Sequence, residues 1–120
     1  MKVEKLNWTS KSAQEAELTI TDGEYSCIAF CQPCEYEEGA EVDYLHAFMA
    51  KEVMLSNSGL VSIEALEEKV LPHRVTAVVE DRLENIVKVG SIIIELDCAI
   101  PAGVDKGMLV DFECSRLDVW

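Results

Sequence analysis

Residues 15–34, EAELTITDGEYSCIAFCQPC, constrain the fold more than any other stretch of this chain. Asp22-Gly23 stands between two runs rich in Thr, Ile, Tyr and Phe, the pattern of a two-residue hairpin turn. Such a turn needs positive φ at its centre, which Gly supplies freely and Asp tolerates. The pairing it predicts sets Thr21 against Glu24, Ile20 against Tyr25, Leu18 against Cys27 and Ala16 against Ala29. One face then carries Leu18, Ile20, Tyr25, Cys27, Ala29 and Cys31 and is apolar enough for a core. The other carries Glu17 and Thr19 on the first strand but Ile28 and Phe30 on the second. That contrast predicts a second strand lying deeper in the sheet than the first.

The flanking segments read mainly as strands too. Residues 3–8 alternate weakly, as an edge strand or ordered arm, and residues 9–14 form a polar connector. Residues 35–41, EYEEGAE, read as an acidic loop with a turn at Gly39. Between residues 42 and 57 two readings stand: a helix over 44–50 with Leu45, Phe48 and Met49 on one face, or, preferred, a long bent strand broken near Ala50 with Val42, Tyr44, His46, Phe48 and Ala50 alternating. Residues 62–71 predict a short helix: Ser62 suits an N-cap, Glu64 and Lys69 match the helix dipole, and Ile63, Leu66 and Val70 fall at helical spacing. Pro72 ends it. From His73 the period returns to two. Val75, Ala77 and Val79 form one face, Ile92, Ile94, Leu96 and Cys98 another, and Met108, Val110, Phe112 and Cys114 a third. Gly90 marks a tight turn or bulge, and the change of phase toward Leu117 and Val119 predicts a bulge near Arg116.

Strands before and after a single helix resemble the oligonucleotide/oligosaccharide-binding (OB) barrel, over roughly residues 15–118. The resemblance is one of architecture. It implies a mainly β fold, a small Greek-key barrel with one short helix, and a binding face on the barrel. The expectation is therefore one domain over residues 1–120, with residues 1–14 as edge strand or arm and 15–120 as barrel.

Charge bears on function. The chain has 23 Asp and Glu against 10 Lys and Arg, a formal net charge of −13. Between residues 15 and 50 stand Glu15, Glu17, Asp22, Glu24, Glu35, Glu37, Glu38, Glu41 and Asp43, with no Lys or Arg. A nucleic-acid binder draws most of its affinity from neutralised phosphates, so an oligonucleotide ligand is disfavoured. A basic protein partner is the natural complement, against the plain alternative that the acidity serves solubility. Self-association through the edge at residues 3–8 or through Trp120 is a further option. No apolar run reaches the roughly 18 residues of a membrane span. Residues 1–14 contain no apolar signal core, and five cysteines do not pair evenly. The expected compartment is the cytoplasm, where thiols stay reduced.

Cys31-Gln32-Pro33-Cys34 is the chemical motif, and it resembles the Cys-x-Pro-Cys of thioredoxin-like oxidoreductases. That chemistry needs a thiol at a helix N-terminus, where the dipole favours thiolate. Here Glu35, Glu37 and Glu38 follow, which push a thiol pKa upward, and Gly39 interrupts a helix. A structural zinc site is the second use, with Cys27, Cys31 and Cys34 joined by Cys98, Cys114, His46 or His73; such sites usually show two close ligand pairs, and one is present. The simpler reading buries Cys31 at the end of a core strand. Paired acids match no calcium loop and the glycines no phosphate loop. No catalytic residue or cofactor follows. The sequence thus favours an acidic binding or scaffolding module over an enzyme, with thiol-redox or zinc chemistry at Cys31 and Cys34 and oligonucleotide binding as the alternatives.

Overall fold

The computed structural model describes residues 1–66 and 71–120. Strands β1 (Lys2–Ser10), β2 (Glu15–Thr21) and β3 (Ser26–Cys31) run as an antiparallel meander. Then come β4 (Leu45–Phe48), β5 (Lys51–Leu55), β6 (Ser62–Ala65), β7 (His73–Asp81), β8 (Ile86–Val89), β9 (Ile92–Leu96), β10 (Leu109–Cys114) and β11 (Arg116–Val119). They join in one sheet of order β1-β2-β3-β11-β4-β9-β8-β7-β10-β5, with β6 beside β7. The mainly β expectation holds. The barrel does not, because β1 and β5 remain open ends of the sheet.

The short helix is also corrected. Ser62–Ala65 is a strand paired with His73–Thr76, and the described residues contain no helix; residues 67–70 of the expected helix lie outside them. A helix of that length is marginal by itself, so pairing along β7 outweighs its caps and spacing.

The first hairpin exists, but its register differs from the two-residue expectation. Thr21 faces Ser26, Ile20 faces Cys27, Leu18 faces Ala29 and Ala16 faces Cys31. The loop is thus Asp22 to Tyr25. Asp22 Oδ1 accepts the N–H groups of Glu24 at 2.9 Å and Tyr25 at 2.7 Å, while the Thr21 hydroxyl donates to the Tyr25 carbonyl at 2.8 Å. These side-chain bonds stabilise a wider turn than Asp-Gly alone. Because the register moved by an even step, Leu18, Ile20, Cys27, Ala29 and Cys31 keep the inner face and are buried with Ala16, while Tyr25 leaves that face for the loop and is half-buried.

Farther on, the break near Ala50 is present. Met49 has φ 56°, and the Asp97 carboxylate accepts the N–H groups of Met49 at 2.7 Å and Ala50 at 3.0 Å, ending β4. The buried set of β4 is Leu45 and Ala47, so His46 and Phe48 point outward, the reverse of the alternation at 42–50. At Ser115 the phase switch takes the form of a break, where the chain leaves β10 for β11.

The sheet bends enough for its inner residues, from Val3 to Val119, to share one core. Its curl brings β3 against β6, the strand paired to β7, although β11, β4, β9 and β8 intervene in the sheet order between β3 and β7. His73 bridges the gap: Ile28 N–H donates to Nε2 at 3.2 Å, and Nδ1 lies 2.8 Å from the Leu71 carbonyl. A side chain spans what strand pairing leaves open.

Candidate functional site

The Cys-Gln-Pro-Cys segment ends β3 and turns under the acidic loop. Cys34 N–H donates to the Gln14 carbonyl at 2.8 Å and Gln32 Nε2 to the Ala13 carbonyl at 3.3 Å, so the segment is tied to the β1–β2 connection. Cys31 and Cys34 are 2% and 4% exposed. Burial, and then the hydrogen bond and charge of Cys34, push the Cys31 thiol up to about 12. Cys27 and Cys114, buried on the core face, are likewise pushed up to about 12, by burial first. Among the described residues no group of three His, Cys, Asp or Glu side chains gathers as a metal site. The expected result with iodoacetamide at pH 8 is modification of Cys31 more than about tenfold slower in the folded protein than in denaturant, since thiolate is the nucleophile. Equal rates, read by mass spectrometry, would show an accessible, activated thiol.

Above the thiols lies Tyr36, whose hydroxyl donates to the Trp120 carbonyl at 3.2 Å. Burial, then the neighbouring Cys31, Asp43 and Cys34, push its phenol up, so the acidic loop, the thiols and the end of β11 converge here. The Trp120 indole stacks on the His46 imidazole with ring centroids 3.6 Å apart and planes 9° from parallel. His46 sits between Asp118 of β11 and Glu95 of β9 in cross-strand register.

One step along the outer face, Arg116 pairs with Phe48 across β11 and β4. Its guanidinium lies 4.7 Å from the Phe30 ring centroid and 4.5 Å from that of Phe48. Its Nε donates to Asp118 Oδ1 at 2.7 Å. Alternation produces this ladder: Ala29 and Cys31, Leu45 and Ala47, Leu117 and Val119 turn inward, leaving Phe30, His46, Phe48, Arg116 and Asp118 outside. The guanidinium covers the apolar rings while its head meets water.

The patch stays open at its edges. Trp120 is 81% exposed and Phe48 43%, and Tyr44 and Met49 are exposed as well. Exposed carboxylates border it: Glu95 faces His46 from β9, Asp97 holds the Met49 and Ala50 N–H groups, and Asp43 lies near Tyr36. Aromatic anchors within a charged rim are the usual anatomy of a protein-binding surface. A separate cleft of about 260 Å3, lined by Glu52, Arg74, Thr76, Asp111 and Glu113 among others, is less inviting. Its polar groups answer one another, Thr76 with Asp111 at 2.6 Å and Arg74 with Glu113 at 3.0 Å.

The chain can be set against protein-family models, curated proteins and solved structures. None matches.

Reading the residues alone singled out Cys31 and Cys34, which lie beneath this surface and do not form it. The sequence offers Trp120 for association and His46 as a metal ligand; the fold stacks them on each other. Arg116 and Phe48 were missed as a pair. The available signal was Phe30, an aromatic residue on the outward face of β3.

Proposed function

We propose that this chain is an acidic binding module that recognises a basic protein partner through the outer face of β3, β11 and β4. The observation that carries the reading is Trp120: a large, exposed indole held flat against His46 within a rim of carboxylates. Holding an aromatic anchor in place before contact lowers the ordering cost of binding. The rim supplies the sign of the partner, and long-range attraction makes association fast and salt-sensitive. Five free thiols suit a reducing compartment such as the cytoplasm. Oligonucleotide binding has less support, because phosphates would meet the same carboxylates.

The test is affinity capture on the immobilised chain at low ionic strength, followed by a salt gradient. The expected outcome is a basic protein released as salt rises toward about 1 M, where the Debye length falls to about 3 Å. The same protein should be lost from a Trp120→Ala column. No retained protein at low salt, or one retained equally by that variant, would overturn the proposal.

A further inference from the structure

We infer that the open face of Trp120 is an arginine-binding platform: a guanidinium of the partner lies flat on the indole, with its charge met by the carboxylate rim. This rests on the reading of the chain as a module for a basic partner and names the group it grips. Stacking at 3.6 Å and 9° leaves His46 covering one side of the indole, so the high exposure belongs to the other. The ring is kept in place at both ends of its residue. Val119 pairs with Cys31 in the ladder just before it, and the Trp120 carbonyl accepts the Tyr36 hydroxyl.

The fold already displays this chemistry once. Arg116 lies over Phe30 and Phe48 with a carboxylate on its Nε. The neighbouring platform has the same two components, a flat aromatic face and nearby carboxylates, and Trp is the aromatic ring that attracts cations most strongly. The exposed Glu95 faces His46, on which the indole stacks, and Asp43 acts on the Tyr36 phenol that binds the Trp120 carbonyl. Arginine fits better than lysine for two reasons. Its guanidinium is planar and weakly hydrated, so it lies parallel on an indole at little desolvation cost. Its remaining N–H groups can also reach sideways to carboxylates in paired hydrogen bonds. A nucleobase could stack on the same ring, but its phosphates would face a chain of charge −13.

The experiment uses a Trp8→Phe background, which leaves Trp120 as the sole indole. Hexa-arginine, hexa-lysine and a thymidine oligonucleotide are titrated at low salt, following indole emission and, separately, calorimetric affinity. Hexa-arginine is expected to perturb the emission and to bind about three- to fivefold more tightly than hexa-lysine, the advantage expected of one exposed cation–π contact. That advantage should vanish in Trp120→Ala and persist in part in Trp120→Phe. Equal binding of both peptides with no effect of Trp120→Ala overturns the platform while leaving the basic-partner reading in place. Failure of both peptides to bind overturns the two together. Tighter binding of the oligonucleotide than of either peptide overturns the arginine assignment in favour of a base.

Discussion

Replacing Gly90 with Ala is expected to destabilise the protein by about 3 kcal/mol, lowering its thermal midpoint by about 10 °C. Gly90 and Ser91 are the two-residue turn between β8 and β9, and Gly90 has φ 60°. Positive φ costs an L-residue about 1–2 kcal/mol. The larger difficulty is space. A Cβ there would stand 2.5 Å from Asp22 Oδ2 and 2.8 Å from Tyr25 Cδ2. Asp22 cannot withdraw freely, because Oδ2 accepts the Ser91 N–H at 2.7 Å while Oδ1 caps its own turn. One carboxylate therefore ties the β2–β3 loop to the β8–β9 loop. Asp22→Asn separates the two roles. Its amide oxygen can keep capping Glu24 and Tyr25, but its NH2 would then face the Ser91 N–H, a loss of about 1–2 kcal/mol.

The pH dependence of this tie has a definite sign. Burial pushes the Asp22 carboxyl up, but the N–H groups of Tyr25, Ser91 and Glu24 together outweigh it and hold the group below its ordinary value. Its contribution is thus complete above the ordinary pKa of about 3.9 and is lost as pH falls through the depressed folded value. Thermal melts of wild type and Asp22→Asn should converge in acid. Melting points that differ equally at pH 7 and pH 2.5 would contradict the account.

The same tie shows why the fold was only partly legible. Asp22-Gly23 announced a hairpin correctly, and period two assigned its inner face correctly, because both depend on neighbours in sequence. The register depended on how the Asp22 side chain was used, and that depended on a turn at Ser91, far along the chain. Residues 62–71 illustrate a second limit. Helix caps and spacing describe a segment by itself, whereas Ser62–Ala65 is decided by His73–Thr76, the part of β7 that β8 leaves unpaired. The aromatic surface was hidden for a third reason. Phe30, Arg116 and Phe48 meet because β11 enters between β3 and β4, parallel to one and antiparallel to the other. Nothing local to those three residues encodes that insertion. The Cys-Gln-Pro-Cys motif was the reverse case, conspicuous in sequence yet buried in the fold.

Acidification is expected to loosen the bridge between β3 and β7 through His73. The ring is fully buried, and burial lowers its pKa, partly offset by the bond to the Leu71 carbonyl. Nε2 accepts the Ile28 N–H, which fixes the neutral tautomer with its proton on Nδ1. Protonation would set two donors against each other in a site shared with the Cys27 and Cys114 thiols, neither of which supplies a compensating negative charge. Because the folded pKa lies below the ordinary value of about 6.5, the unfolded chain takes up the proton first. Stability is therefore complete above that value and falls below it, by at most about 1.4 kcal/mol for each pH unit. His73→Ala should cost on the order of 3 kcal/mol at pH 7, combining a cavity with an orphaned Ile28 N–H. His73→Gln is the more discriminating variant, since its amide oxygen can accept that N–H without titrating. Denaturant unfolding from pH 7.5 to pH 5 should show a steeper loss in wild type than in His73→Gln. His46 and the carboxylates are common to both proteins, so the difference belongs to His73. Parallel pH profiles would mean that the bridge holds its proton balance unchanged on folding, and the neutral acceptor assigned to Nε2 would have to be abandoned.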